Sequence, residues 1–190
     1  MATARDRYRD MNIAHNCAML LYRSVPRWAL VLAIIAALCG WAGSTRGQSL
    51  GGETDLPIPR FVSLRSDEVN LRTGPGTTYP VEWVYVRRGL PVEVIAEFDV
   101  WRRIRDWQNT VGWVHQSMLA GERTALIVGS DRTLFEDPSE SALPVARVAP
   151  GVVARLLECE EAWCRIEAQG YRGWLNREEF WGSYPKEAIE

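Results

Sequence analysis

Asn70-Leu71-Arg72-Thr73-Gly74-Pro75-Gly76, followed closely by Tyr79-Pro80, is the stretch of this chain that decides the fold. Glycine and proline alternate within it, and threonines surround them. Glycine adopts positive φ or lets another group approach the backbone closely, and proline fixes φ, so the composition predicts an irregular loop and not a helix or strand. The stretch therefore indicates a loop that follows a short strand ending near Arg72.

The same layout returns in altered form later in the chain. Val86 and Gly89 recur as Val148 and Gly151, with the same interval between each pair of matching residues. Further matching anchors are Trp101 to Ile104 with Trp163 to Ile166, and Gly112-Trp113 with Gly173-Trp174. Self-similarity at a fixed period indicates a repeated structural unit. The chain is therefore predicted to contain two copies of one small domain.

Short runs of strand-forming residues, separated by Gly, Pro and polar residues, fill both copies. Runs at such spacing are typical of an all-β barrel or sandwich. The predicted divisions are a signal peptide (1–42), a linker (43–60), domain 1 (61–122), domain 2 (123–184) and a C-terminal tail (185–190). The run Ala125-Leu126-Ile127-Val128, between the copies, is assigned to domain 2.

The segment from Met1 to Ala42 has the pattern of a secretory signal peptide. Arginines precede an uncharged run from Trp28 to Gly43, which is short for a membrane span. Cleavage after Ala42 is predicted, with retention as an uncleaved anchor as the alternative. The chain starts at Met1, Met11 or Met19. The prediction places the protein outside the cytoplasm.

Cleavage would remove Cys17 and Cys39 and leave only two thiols, Cys159 and Cys164. These two residues flank the turn of a predicted hairpin, so a disulfide across the two strands is expected in an oxidising compartment. Two free buried thiols are the alternative.

Charge and histidine content exclude several classes of function. The chain has a net charge of -2, and removal of its basic leader makes it more acidic, which disfavours a nucleic-acid partner. His115 is the one histidine after the leader, and the acidic pairs Glu160-Glu161 and Glu178-Glu179 consist of sequence neighbours whose side chains diverge. No catalytic site, cofactor or metal site is predicted, and the protein is expected not to be an enzyme.

Taken in order, the motifs resemble those of a known family. They are Val69 to Gly76, Val92 to Ile95, Trp101 to Ile104 and Gly112 to Val114. Together they look like a bacterial SH3-like domain, of the exported alphaproteobacterial kind that occurs as a tandem pair. The resemblance implies two tandem SH3-like small β-barrels, a periplasmic location and a binding role in the cell envelope. Relatives are often attached to cell-wall hydrolases.

Aromatic residues mark the first copy as the ligand-binding one. Tyr79, Trp83, Tyr85 and Trp107 lack aromatic counterparts in the second copy, and a barrel this small cannot bury them all. An aromatic surface suits sugar rings, peptide stems or Pro-rich segments. Nearby arginines could bind carboxylates. The predicted ligand-binding residues are Arg72, Tyr79, Trp83, Tyr85, Arg87 and Trp107, with Arg88 close by.

The remaining aromatic residues are predicted to be structural. Trp101, Trp113, Trp163 and Trp174 recur in both copies and are assigned to the cores. His115 is expected to be structural, or else to line a groove beside Trp113.

The functional prediction is a non-enzymatic exported module that binds peptidoglycan or a cell-envelope peptide through domain 1. The alternatives are a periplasmic adaptor that binds another protein and, less favoured, an accessory subunit of a cell-wall hydrolase.

Overall fold

The computed structural model of the chain describes residues 49–189, which belong to one compact unit, Gly47–Glu190. The predicted signal peptide lies outside the described residues. The part of the chain that the structure describes contains no helix with the length and hydrophobicity of a membrane span.

A small hairpin precedes the first copy and consists of β1 (Ser49–Leu50) and β2 (Pro57–Ile58). The first copy, called barrel 1, is a seven-stranded antiparallel sheet with the strand order β5-β4-β8-β7-β6-β3-β9. A short 3-10 helix, Gln116–Met118, joins its last two strands. The strands of barrel 1 are β3 (Arg60–Leu64), β4 (Val69–Arg72), β5 (Val81–Tyr85), β6 (Pro91–Phe98), β7 (Trp101–Arg105), β8 (Val111–His115) and β9 (Leu119–Ala120).

The second copy, called barrel 2, repeats this arrangement. Its seven strands follow the equivalent order, β12-β11-β15-β14-β13-β10-β16, and a 3-10 helix, Arg177–Glu179, again joins the last two. The strands are β10 (Thr124–Ile127), β11 (Arg132–Phe135), β12 (Pro144–Val148), β13 (Val153–Glu160), β14 (Trp163–Ala168), β15 (Tyr171–Asn176) and β16 (Phe180–Trp181). The predicted fold class, two tandem SH3-like small β-barrels, is confirmed.

Each barrel has its own hydrophobic core, built from the alternate residues of its strands. Barrel 1 buries Leu71 and barrel 2 buries Leu134. The repeated anchor glycines explain how closely these strands pack, since a Cβ at Gly112 would lie 2.6 Å from Leu71 Cγ, and one at Gly173 would lie 2.8 Å from Leu134 Cβ. Any side chain at these positions would force the strands apart.

Strand β10 contributes side chains to the cores of both barrels. It pairs with β13 and β16 and so belongs to the sheet of barrel 2. Ala125 and Ile127 point into the core of barrel 2, whereas Leu126 joins the core of barrel 1. The Thr124 hydroxyl donates a hydrogen bond to the Gly89 carbonyl of barrel 1, at 2.6 Å. The strand between the copies therefore holds the two barrels together.

A second contact between the barrels centres on Phe61. Its ring packs against Trp181 edge-on, at 5.1 Å between centroids, and against Tyr184 at 4.7 Å. The Tyr184 hydroxyl donates to the buried Glu93 Oε1 of barrel 1, at 2.8 Å, and burial together with Glu93 raises the pKa of Tyr184. Each barrel is near the lower size limit for an independent core, so packing of one on the other supplies apolar burial that neither has alone.

One hairpin position differs between the barrels. In barrel 1, Glu97 lies opposite Arg102 and forms an ion pair with it, with Arg102 Nε at 3.4 Å. In barrel 2 the equivalent residues are Cys159 and Cys164, which form a disulfide with 4.1 Å between their Cα atoms. The predicted disulfide is confirmed.

Glu97 also holds the segment before barrel 1. Its carboxylate accepts hydrogen bonds from the Thr54 hydroxyl at 2.6 Å, from Arg60 Nη2 at 2.7 Å and from the Glu53 backbone N–H at 3.2 Å. Burial would raise the pKa of Glu97, but the hydrogen bonds from Thr54 and Arg60 lower it to about 2. The described part of the predicted linker is therefore packed against barrel 1.

The C-terminal segment is held in a comparable way. Arg177 donates to three carbonyl oxygens, those of Glu161, Tyr184 and Glu187. The Cys159 backbone N–H donates to the Ile189 carbonyl at 2.9 Å. The predicted tail therefore follows the surface of barrel 2 as far as Ile189.

Candidate functional site

The candidate site is a cleft of about 460 Å³ between the two barrels. One wall comes from barrel 1 and consists of Trp83 to Arg87, Leu90 and Trp107. The other comes from barrel 2 and consists of Leu126 to Gly129 with Pro150 and Gly151. The volume lies within the range of small-ligand sites. We call it the interbarrel cleft.

Trp83 is the most prominent side chain of the interbarrel cleft. It lies opposite Leu71 in the β4–β5 pair, but β5 is the last strand of its sheet, so the core does not extend far enough to cover the indole. Trp83 is consequently 55% exposed, and Val84 and Val86 beside it are exposed as well. An exposed Trp among apolar neighbours is typical of a binding surface.

Trp107 reaches the cleft from the turn between β7 and β8. The Asp106 carboxylate fixes this turn by accepting hydrogen bonds from the backbone N–H groups of Gln108, at 2.9 Å, and Thr110, at 2.8 Å. An Asp that accepts from residues further along a turn stabilises that turn. The Trp107 ring is half-buried against the core of barrel 1.

Tyr85 is buried, which corrects its prediction as a ligand-binding residue. Its side chain is 3% exposed, and its hydroxyl donates to Asp106 Oδ2 at 3.0 Å. Burial, together with the neighbouring carboxylate, raises the pKa of Tyr85. Tyr85 supports the turn that carries Trp107, so its contribution to the cleft is positioning and not an accessible ring face.

Arg87 joins the two walls of the cleft. It is exposed, and its guanidinium donates to the Gly151 carbonyl of barrel 2. Arg88 follows it and is also exposed. Within residues 49–189 neither arginine takes part in an ion pair, and guanidinium groups of this kind suit an acidic ligand.

Arg72 and Tyr79 belong to a different part of barrel 1. Arg72 Nη1 donates to the Tyr79 carbonyl at 2.8 Å and to the Thr77 carbonyl at 3.2 Å, which closes the loop that carries the opening motif. The Tyr79 ring lies on Gly74, where any Cβ would collide with it. Neither residue lines the interbarrel cleft. The structure therefore brings four of the six predicted residues together and places these two in the loop.

Three of the four tryptophans assigned to the cores are only half-buried. Trp101 is buried, but Trp113, Trp163 and Trp174 are not. Strand alternation explains the difference for Trp113, because its neighbours Gly112 and Val114 occupy the inward positions of β8. These three tryptophans therefore cover the outside of the barrels and do not fill their centres.

His115 has a structural role. Its Nδ1 accepts a hydrogen bond from the Ser117 backbone N–H at 3.2 Å and so caps the short helix that follows β8. Its ring packs edge-on against Trp101 at 5.5 Å. Asn176 performs the same capping function in barrel 2, where its side chain accepts from the Glu178 N–H at 3.0 Å.

Sequence reasoning missed the barrel 2 side of the cleft. Val128, Pro150 and Gly151 belong to the second copy and have no unusual composition, so no local signal could have found them. Across residues 49–189, His, Cys, Asp and Glu side chains form no group able to hold a metal ion.

The two repeated barrels define the class of protein, a tandem small-β-barrel protein. The chain belongs to the bacterial SH3 domain family, whose pattern matches residues 65–121 in barrel 1 and 130–182 in barrel 2.

Several proteins are similar to this one. A putative N-acetylmuramoyl-L-alanine amidase of Bacillus subtilis is 23% identical over 126 residues, which cover 60% of this chain. The chain spans only 24% of the length of that amidase. Among solved structures, NlpC2 from Trichomonas vaginalis matches with a TM-score of 0.31 and 13% identity, covering 66% of this chain and 49% of its own. An NlpC/P60 family protein from Bacillus cereus matches with a TM-score of 0.30 and 14% identity, covering 68% and 58% respectively.

Proposed function

We propose that this protein is an exported, non-enzymatic module of the alphaproteobacterial tandem type that binds peptidoglycan in the interbarrel cleft. The observation that carries the proposal is the exposure of Trp83 at the edge of barrel 1, in a cleft that also contains Trp107. An indole face gives apolar area and stacking to sugar rings or peptide groups at little entropic cost.

Family membership supports the cell wall as the ligand. Bacterial SH3 domains are typically cell-wall binding modules, and the relative from Bacillus subtilis is described as a putative amidase with N-acetylmuramoyl-L-alanine in its name. Most of that relative lies outside the part that this chain matches, so its activity is not carried over to this chain. The non-enzymatic role of this chain is part of the proposal.

An oxidising, extracytoplasmic compartment suits the disulfide. Cys159 and Cys164 are bonded, and such bonds persist outside the cytoplasm. Bacterial SH3 domains together with a disulfide suggest an exported protein, and we place it in the periplasm.

Sedimentation with purified peptidoglycan sacculi tests the proposal. We expect the fragment Gly47–Glu190 to sediment with the sacculi, and the Trp83→Ala variant to bind at least tenfold more weakly with an unchanged melting temperature. Tyr171→Ala is the matched control, because Tyr171 is an exposed aromatic residue of barrel 2, and it should bind like the wild type.

Three results would contradict parts of the proposal. Absence of the wild-type protein from the sacculus pellet would rule out peptidoglycan as the ligand. Equal binding by Trp83→Ala would rule out the interbarrel cleft as the site. Release of soluble wall fragments by the protein alone would overturn the non-enzymatic role.

A further inference from the structure

Barrel 2 contains a groove that is equivalent to the barrel 1 wall of the interbarrel cleft. At the interval of the repeat, Trp83 to Arg87, Leu90 and Trp107 correspond to Val145 to Ala149, Val152 and Gln169. The corresponding residues line a groove of about 400 Å³ that runs along β12, with Tyr171 on its other side. We call it the barrel 2 groove.

Apolar side chains flank the barrel 2 groove without cover. Val145 and Tyr171, which is 57% exposed, line the groove and are both exposed. Leu143, which is 71% exposed, directly precedes β12. Single exposed apolar residues are ordinary, but two that line one groove, with a third next to its strand, are of the kind that marks an interaction site.

The backbone beside the groove is equally uncovered. Strand β12 is the terminal strand of its sheet, and among residues 49–189 it pairs only with β11. In an antiparallel sheet the backbone N–H and C=O groups of alternate residues point away from the paired strand. These groups of β12 have no backbone partner within residues 49–189, and a free edge of this kind accepts another extended chain.

Barrel 1 shows what covers such a groove. There, the Leu126 to Gly129 segment bounds the equivalent groove, with Leu126 in the core of barrel 1 and Val128 packed against it. Under this cover Leu90 is 4% exposed, whereas its counterpart Val152 is half-buried. The occupant that suits this geometry is an extended protein segment with apolar side chains at alternate positions.

A second copy of this chain does not supply that segment from the same residues. Leu126 of every copy is already buried between its own two barrels. The charge beside the groove also indicates what a partner would contain. Among the described residues, the Arg147 side chain, which is 76% exposed, forms an ion pair only with Asp131, at 3.8 Å. An exposed guanidinium favours a carboxylate on the partner.

We propose that the barrel 2 groove binds an extended segment of a partner protein, which adds as a strand to the free edge of β12. Its alternate apolar side chains lie in the groove between Val145 and Tyr171, and an acidic side chain faces Arg147. The inference goes beyond the proposed function, since it concerns another barrel and a protein partner and does not depend on wall binding. The protein would then hold its partner protein at the place where barrel 1 binds its own ligand.

A library of random twelve-residue peptides displayed on phage is the probe for this site. Selection against the fragment Gly47–Glu190 should enrich peptides with alternating apolar residues and at least one Asp or Glu. A synthetic copy of an enriched peptide should slow amide exchange at every second residue of β12. Tyr171→Ala and Val145→Ser, both at exposed positions that line the groove, should weaken its binding at least tenfold, whereas Trp83→Ala should leave it unchanged.

The opposite outcomes would overturn the inference. These are a selection without enrichment, protection of β5 amides in place of β12 amides, or unchanged binding by both barrel 2 variants. If sedimentation experiments show a dimer and Tyr171→Ala abolishes it, a second copy of the chain occupies the groove. The assignment of the groove to a partner protein would then be wrong.

Discussion

The two barrels link the strands of the same hairpin through different cross-strand interactions. Barrel 1 pairs Glu97 with Arg102, and barrel 2 joins Cys159 to Cys164. Each position also binds a segment next to its barrel, since the Glu97 carboxylate holds Thr54 and the Cys159 backbone N–H holds Ile189. In both barrels this position therefore links the two strands of the hairpin and also binds the neighbouring chain segment. The side chains differ between the copies, but both interactions are present.

The comparison extends to the grooves beside the terminal strands. Barrel 1 has Trp83, Tyr85 and Trp107 where barrel 2 has Val145, Arg147 and Gln169. Barrel 1 also has a second wall, supplied by barrel 2. Similar backbones thus provide an aromatic, two-walled cleft in one copy and an open apolar groove in the other, which is why we assign them different ligands.

Removing the charge of Glu97 should have the largest effect on stability. Glu97→Gln leaves Arg102, which is almost fully buried, and Arg60 without their anionic partner, and loss of one partner of a buried ion pair costs about 3 kcal/mol. Urea unfolding should show this loss, and proteases should cut the segment before Arg60 faster. Glu158→Gln on β13 is the control, because its ion pair with Arg165 is exposed and should change the stability by less than about 1 kcal/mol.

Acid should remove the contribution of Glu97. Its pKa is lowered to about 2 in the folded protein, against about 4.3 in an unfolded chain. Because the pKa is lower in the folded state, ionised Glu97 stabilises the fold at every pH above its unfolded-state pKa. This stabilisation is lost as the pH falls towards 2. The difference in unfolding free energy between wild type and Glu97→Gln should therefore be constant from pH 7 to 5 and shrink between pH 4 and 2. A difference in unfolding free energy that stays constant to pH 2 would contradict the lowered pKa of Glu97.

Reducing the disulfide should have a smaller effect, confined to barrel 2. Closing so short a loop stabilises the fold by about 2 kcal/mol in the chain-entropy estimate. In Cys159→Ser/Cys164→Ser, amide exchange should accelerate in β13, in β14 and near Ile189, while β6 and β7 of barrel 1 keep their protection. Equal acceleration in both barrels would show that the two hairpins are not independent.

The smallest effect is expected for Tyr85→Phe. The variant loses one hydrogen bond, to Asp106, and should be destabilised by about 1 kcal/mol. Sacculus binding should match the wild type, because the hydroxyl is buried and bonded to Asp106. A strong loss of binding with unchanged stability would return Tyr85 to the ligand surface.

Much of the fold could be predicted from the sequence because its pattern occurs twice in the chain. Anchors repeated at a nearly constant spacing located both barrels, and the two cysteines beside a hairpin turn located the disulfide. The glycine pair Gly112 and Gly173 corresponds to contacts that admit no side chain, and the pair Gly89 and Gly151 to backbone with positive φ.

The candidate site was less predictable, for physical reasons. Tyr85 and Trp83 lie two residues apart on the same strand, and only the end of the sheet decides that one is buried and the other exposed. Arg72 and Tyr79 are near the cleft residues in sequence, yet they contact each other within the loop. The far wall of the cleft depends on how barrel 2 packs on barrel 1, which β10 determines through Leu126, a residue whose local pattern resembles that of any buried strand.

The most direct test of the central claim, that barrel 1 carries the wall ligand in the interbarrel cleft, is a titration of Gly47–Glu190 with soluble peptidoglycan fragments, observed through tryptophan indole N–H signals by NMR. We expect the signals of Trp83 and Trp107 to shift with a common dissociation constant, while those of Trp163 and Trp174 stay in place. Shifts confined to the barrel 2 tryptophans, or no shift of Trp83 at saturating binding, would contradict it.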